Sequence, residues 1–202
     1  MYRETNRDSL IPPERGDPSV EQAVRTLIAA AGDDPLRPGL VDTPGRVRRA
    51  YREWFAGYRV DPVALLARRF DAEEYDGVVA LRGIRVVSTC EHHLAPIIGT
   101  AHVGYLPGGE VVGISKLVRL VDAFARRLQL QERLTRQVAE ALDSALMPRG
   151  VGVVIEATHG CMTTRGVNAH GVSMLTQCWL GEFKTDSGLR ATLLDGTREA
   201  GR

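Results

Sequence analysis

Val78-Val79-Ala80-Leu81-Arg82-Gly83-Ile84-Arg85-Val86-Val87-Ser88-Thr89-Cys90-Glu91-His92-His93 is where the texture of the chain changes. β-branched residues crowd either side of Gly83, so the stretch reads as two β runs joined at a bulge or bend. It ends in a Cys-x-x-His pair, which places thiolate and imidazole donors at the mouth of a strand. A second donor segment follows much later, Thr158-His159-Gly160-Cys161. Together the two segments hold three of the chain's five histidines and two of its three cysteines, a pattern suited to a metal site.

Downstream, Ile97 to Leu106 reads as a second strand. Pro107-Gly108-Gly109 reads as a hairpin turn into Val111-Val112-Gly113-Ile114. Ser115 is placed to cap a helix with Leu117, Val118, Val121 and Phe124 on one face. A second helix is predicted from Gln131 to Leu146, with Leu134, Val138, Ala141, Leu142 and Ala145 as its stripe. Val151–Ala157 and Val172–Leu180 complete a ββααββ order. That order predicts an α+β domain over 77–185, an antiparallel sheet with a helix pair on one face.

Upstream, residues 1–18 carry Pro12, Pro13, Gly16 and Pro18 and read as a mobile leader. Residues 19–76 read as a helical region. Ser19 with Gln22 fits a capping box, and Ala23, Val24, Leu27, Ile28 and Ala31 repeat at helical spacing before Gly32. Thr43-Pro44 reads as N-cap and N1 of another helix, with Val47, Ala50, Tyr51, Trp54 and Phe55 inside and Gly57 past its end. Its arginines, Arg46, Arg48, Arg49 and Arg52, fit either a solvated face or an anion-binding one. A short helix and a turn are expected within 60–76, and 186–202 reads as a polar tail.

Composition bounds the partners. The 202 residues carry 26 basic and 25 acidic side chains, a formal charge of +1. This argues against a general nucleic-acid binder, so an anionic ligand must be met by a local cluster. No apolar run reaches the ~20 residues of a membrane span, and the N-terminus lacks the apolar core of a secretion signal. Three scattered cysteines do not make a disulfide framework, which predicts a reducing cytoplasm.

Four ligands are available: Cys90, His93, His159 and Cys161. Cys90 and His93 can converge if the chain turns near Thr89. His159 and Cys161 share a face if the strand from Val151 continues through them. Neighbours on a strand point apart, so His92 and His93 cannot both ligate from one. Four ligands would make a closed structural site; three would leave a position for water. A helix pair and four strands supply a core without metal, which weakens the structural reading. Two buried cysteines with hydrogen-bonded histidines remain the non-metal alternative. In a Cys₂His zinc site two thiolates offset the ion's charge, so bound water is acidified less than in a His₃ site. Whichever of His92 and His159 is not a ligand can serve as base. Cys178 reads as a buried small hydrophobe and His102 as structural. His170 has no evident role.

Ser-Thr-Cys-Glu-His-His at 88–93, Val-Gly-Ile-Ser-Lys-Leu-x-Arg at 112–119, Leu-Gln-Glu-Arg-Leu-Thr at 130–135 and His-x-Cys-Met-x-x-Arg-Gly at 159–166 occur in that order. Together they resemble GTP cyclohydrolase I, and Thr-Pro-x-Arg-Val at Thr43 is similar too. The likeness runs from about Ser19 to Phe183. It implies a tunnelling fold assembled into a ring, usually a decamer of two pentamers, with active sites at subunit interfaces. It also implies that the imidazole ring of GTP is opened and C8 leaves as formate. The ribose then rearranges and recloses to 7,8-dihydroneopterin triphosphate, a pteridine and folate precursor.

By position, the resemblance implies Cys90, His93 and Cys161 as Zn²⁺ ligands, with the fourth position open. It implies His159 as the acid that protonates purine N7 and His92 as a second proton handler. Gln131 and Glu132 would hold the guanine edge. Lys116, Arg119 and Arg165 would contact phosphate and ribose, Arg46 and Arg49 would add phosphate contacts, and Ser115 would assist proton transfer in the ribose rearrangement.

The last strand departs from the family pattern, with Val172 and Met174 where hydroxyl residues are common. This keeps open a divergent paralogue, either feeding another pteridine or deazapurine pathway or acting as a metal-stabilised assembly protein without turnover. A zinc nucleobase deaminase would need His-x-Glu with Pro-Cys-x-x-Cys, which the chain lacks.

Overall fold

The computed structural model describes residues 18–194. The leader read over 1–18 lies outside them except for Pro18, as does the tail beyond 194. Two helices lead, α1 (Pro18–Ala30) and α2 (Thr43–Trp54). α1 begins two residues ahead of expectation and α2 one. Ser19 therefore sits inside the first turn of α1, and Thr43 opens α2 behind Asp42, whose side chain makes no capping bond. Proline in the first turn suits both helices, since its missing N–H would have no helical partner there. Arg48 Nε bonds Glu21 Oε1 at 2.9 Å, so one arginine of the expected solvated face ties α2 to α1.

A single 3₁₀ turn (Ala56–Arg59) and α3 (Pro62–Leu65) follow. Asp61 caps α3 by accepting from the Val63 and Ala64 amides. Gly57 is more than a helix terminator. Its N–H donates to the Arg126 carbonyl at 3.1 Å, and a Cβ there would collide with the Ala123 carbonyl.

The main sheet contains β2 (Val79–Cys90), β3 (Pro96–Leu106), β5 (Leu128–Gln129), β6 (Gly150–His159) and β7 (Met174–Gly181), in the order β5-β2-β3-β6-β7. All neighbours are antiparallel except the short β2–β5 pair. The bend expected at Gly83 is present as a register shift between Leu81 and Ile84, with Gly83 at φ 72°. The expected hairpin after Pro107 does not form. β4 (Glu110–Val112) pairs instead with β1 (Arg69–Asp71) in a separate two-stranded sheet. The Tyr105 hydroxyl accepts the Val112 amide at 3.1 Å and holds β4 against the end of β3.

α4 (Ile114–Ala125) and α5 (Gln131–Leu146) lie on one face of the sheet. α5 has the predicted bounds. α4 starts behind Gly113, so Ser115 is in its first turn and does not cap it. Leu117, Leu120 and Val121 of α4 and Leu134, Val138 and Leu142 of α5 are fully buried. They pack with Val86, Val103, Tyr105, Val153 and Ile155 of the strands. Each such side chain contributes roughly 1.5–3 kcal/mol, so this layer is the main source of stability.

The region read as a polar tail contains α7 (Ser187–Leu194), whose Leu193 is fully buried on the opposite face of the sheet. Gly104 and Gly152 are cross-strand partners. A Cβ on Gly152 would lie 2.6 Å from Leu193 Cδ1 and 2.8 Å from the Phe183 ring. Two glycines thus open a slot that Leu193 fills.

Candidate metal centre

The turn after β2 is held by its own backbone. Cys90 N–H donates to the Ala95 carbonyl at 2.8 Å, Leu94 N–H to the Cys90 carbonyl at 2.9 Å, and Glu91 N–H to the Gln129 carbonyl at 3.1 Å. Leu94 takes φ 54° to close the loop. The chain leaves the strand at Cys90, so His92 and His93 sit in a turn and not on a strand. Arg133 of α5 forms an ion pair with Glu91, fastening the turn to the helix.

The second segment is built differently from expectation. β6 ends at His159, opposite Ile97, and the one-turn helix α6 (Gly160–Thr163) then delivers Cys161. His159 and Cys161 are therefore not neighbours on one strand face. Gly160 permits the close approach, since a Cβ there would meet the Pro96 ring at 3.0 Å. Thr164 Oγ1 donates to the Gly160 carbonyl at 2.6 Å and braces the turn.

These two turns bring Cys90, His93 and Cys161 together, with one ligand atom from each lying within 4.8 Å of the others. The two sulfurs are 3.8 Å apart. At ~2.3 Å per zinc–sulfur bond, the edge of a tetrahedron is about 3.8 Å, so the pair already has the spacing zinc requires. Burial, then the neighbouring Cys90 sulfur, pushes the Cys161 thiol up. Two thiolates this close are costly without a cation, and a divalent ion reverses that cost. The donor set fits zinc.

His159 stands outside this group. Its Nε2 is 2.8 Å from Gln131 Oε1. Burial pushes its imidazole below the ordinary range, with Glu132 pulling the other way. His92 is exposed, and its ring lies 6.3 Å from that of His93 at 89°. Arg165 Nη1 reaches His93 Nε2 at 3.3 Å and places a cation beside the cluster.

Gln131 is fully buried beside His159, and both ends of its amide contact protein. The remaining expected site residues are placed elsewhere. Ser115, Lys116 and Arg119 lie toward the start of α4. That end adjoins Tyr105 and β4, whereas the metal turn adjoins β5, beyond the other end of α4. At ~1.5 Å per residue, about 15 Å of helix separates Ser115 and Lys116 from that other end and about 9 Å separates Arg119, which sits mid-helix. Arg46 is exposed and paired with Asp42 at 3.4 Å, and Arg49 is exposed on α2. A cleft of about 450 Å³ opens beside the turn between Tyr51, Trp54, Arg85 and Leu94, and none of the three ligands lines it.

His102 is structural as read, 2% exposed. Cys178 is half-buried against the main core, and His170 is exposed. Sequence reading missed Thr135, Thr176, Glu91 and Arg133. Only the spacing of Thr135 four residues after Gln131 on a helix hinted at a shared face.

Residues 20–198 match the profile of a family described as GTP cyclohydrolase I. A GTP cyclohydrolase 1 of Maricaulis maris is 56% identical over 171 residues, covering 84% of this chain and 83% of that protein. One from Hyphomonas neptunium is 52% identical over 189 residues, 93% and 91% of the two chains. One from Mycobacterium ulcerans is 54% identical over 180 residues, 88% and 89%. Among solved structures, the chain is similar to an archaeosine synthase QueF-Like in the apo form. That likeness has a TM-score of 0.45 and 23% identity, covering 54% of this chain and 97% of that one.

Proposed function

The chain belongs to the GTP cyclohydrolase I family, and on that premise we propose that it opens the imidazole ring of GTP hydrolytically and releases C8 as formate. Rearrangement of the ribose and reclosure then give 7,8-dihydroneopterin triphosphate for pteridine or folate-type biosynthesis. The observation that carries this reading is the Cys90, His93 and Cys161 cluster with an imidazole beside it that is not a ligand.

Zinc held by Cys90, His93 and Cys161 supplies Lewis-acid chemistry, the acidification of water for attack at a purine carbon. His159 donates a proton to N7, which makes C8 electrophilic. Burial holds the His159 imidazole below its ordinary range, and the Glu132 carboxylate, joined by the anionic substrate, opposes that shift toward the imidazolium form needed for the step. His92, exposed on the metal turn, handles a second proton. Glu132 accepts from the ring N–H and exocyclic amine of guanine, which a carboxylate can do with two parallel bonds.

Arg165 meets the substrate from the metal side. Ser115 and Lys116 do so from a second copy of the chain, because within one copy they lie at the end of α4 away from the metal turn, and Arg119 follows them on the same helix. Arg46 and Arg49 extend the cationic surface from α2. Self-assembly is supported by the outer edge of β7, which pairs with no further strand among the described residues, and by exposed Val87, Leu94, Ile98 and Val118. A closed ring of the tunnelling-fold type, such as a decamer, covers all of these. The catalytic unit is 77–185, with 19–76, helical apart from β1, against it. No helix among the described residues is long and apolar enough to cross a membrane. Three free cysteines suit the reducing cytoplasm.

The test is incubation of the purified, zinc-loaded protein with GTP, followed by oxidation and fluorescence detection of neopterin. Product with about one zinc per chain supports the reading, and a loaded assembly yielding no fluorescence contradicts it.

A further inference from the structure

Gln131 is the first residue of α5 and is fully buried beside His159. Its Nε2 lies 3.0 Å from the Ile155 carbonyl, 2.8 Å from the Met174 carbonyl and 3.1 Å from Thr176 Oγ1. Carbonyl oxygens cannot donate, so the end of the amide facing them must be the NH₂. The flipped amide would set an oxygen against two backbone oxygens in a buried site. The opposite end, 2.8 Å from His159 Nε2, is therefore the amide oxygen, which only accepts. His159 Nε2 must carry the proton in that bond.

Two hydroxyls lock the arrangement. Thr135 Oγ1 donates to the Gln131 backbone carbonyl at 2.8 Å. With that proton committed, the 2.7 Å contact between Thr135 and Thr176 requires Thr176 to donate. Thr176 then has lone pairs left to share, with the two carbonyls, the two protons of the Gln131 amide. The bonds run from the Gln131 side chain to Thr176, to Thr135 and back to the Gln131 main chain. Each member fixes the direction of the next.

We infer that Gln131 is a positioning residue: with Thr176 and Thr135 it holds His159 in the tautomer protonated on Nε2, so Nδ1 is the nitrogen that exchanges a proton with substrate. This rests on the reading of His159 as the acid toward N7. It assigns Gln131 to the acid, not to the guanine edge, and brings the last strand into the site through Thr176. A ring held at Nε2 also keeps one orientation, as second partners of ligating and catalytic histidines do elsewhere.

The test uses full-length assembled protein labelled with ¹⁵N-histidine and studied by magic-angle-spinning NMR, with His159→Asn identifying the His159 signals. The resting protein is expected to show Nε2 protonated and Nδ1 bare. Gln131→Leu is expected to mix the tautomers and lower kcat for formate release about 10–100-fold. KM for GTP and the cobalt absorption of the Cys90–His93–Cys161 site should stay unchanged. Should Gln131→Leu fail to assemble, Thr176→Val is expected to weaken the tautomer preference and Thr176→Ser to restore it. A bare Nε2 in the wild type would overturn the inference. So would a raised KM with unchanged kcat in Gln131→Leu, which would return Gln131 to substrate binding. The tautomer is read without turnover, so a wild type inactive on GTP would sink the proposed function and leave this measurement standing.

Discussion

Cys90 and Cys161 bring their sulfurs to 3.8 Å across a separation of 71 residues. One rides the last position of a strand and the other a single helical turn, so neither depends on the other segment for its local conformation. Ser at either position keeps the fold and removes a thiolate. Cys161→Ser is expected to lose zinc, measured by elemental analysis, together with formate release. His159→Ala is expected to keep zinc and lose ring opening. Loss of zinc from His159→Ala would mean that His159 ligates.

The Glu91–Arg133 ion pair predicts a separate effect on the metal turn. Both side chains are about a third exposed, so the pair adds at most ~1 kcal/mol to global stability. Its weight falls on the ligands either side of it. Arg133→Ala is expected to weaken zinc affinity about 10–100-fold in a chelator competition, with the melting temperature little changed. An unaltered affinity would leave the pair without a role in the metal turn.

Leu193 predicts that the C-terminal helix is part of the folded core. Leu193→Ala should cost about 2–5 kcal/mol. Gly152→Ala should cost about 1–3 kcal/mol by overfilling the same slot. Denaturant midpoints measure both, and a neutral Leu193→Ala would detach α7 from the stability of the sheet.

His102 predicts how stability depends on pH. Burial first, then Arg82, holds its imidazole below the ordinary range, while Glu156 opposes the shift. The folded state therefore keeps His102 neutral at a pH where the unfolded chain has begun to bind a proton. Its contribution is fully present above the unfolded value of ~6.5 and is lost as pH falls from there through the folded value. Urea midpoints should drop between pH ~7.5 and ~5.5, and less so in His102→Leu. An equal drop in the variant would place the sensitivity elsewhere.

The separation of Lys116 from the metal turn predicts complementation. Lys116→Ala and His159→Ala should each be inactive alone. Reassembled together in equal amounts they should recover about one quarter of wild-type sites, if each site draws on two copies. No recovery from a mixed assembly would confine each site to one chain.

Much of this was legible before the structure, and the rest was hidden for physical reasons. Helix α5 and the bend at Gly83 follow from local patterns, periodicity in one case and a residue that tolerates φ 72° in the other. The partner of β4 was misread because a three-residue strand carries little signal, and its pairing with β1 depends on contacts far along the chain. Helix α7 looked like a polar tail because only Leu193 among its described residues is fully buried, with Leu189 and Leu194 partly so, and the slot receiving Leu193 is opened by two glycines. Four candidate ligands were visible as residue types and spacing, and the family resemblance singled out Cys90, His93 and Cys161. The bond that excludes His159 from them was not, because it depends on Gln131 being oriented by carbonyls from two strands.

If the Cys90–His93–Cys161 site opens the imidazole ring at C8, its zinc governs formate release. Release of labelled formate from GTP carrying ¹⁴C at C8 should be measured as zinc is titrated into stripped, assembled protein. Release is expected to rise in proportion to zinc and to level off near one ion per chain. Formate release from stripped protein at the full rate, or none from fully loaded protein, would contradict that role of the site.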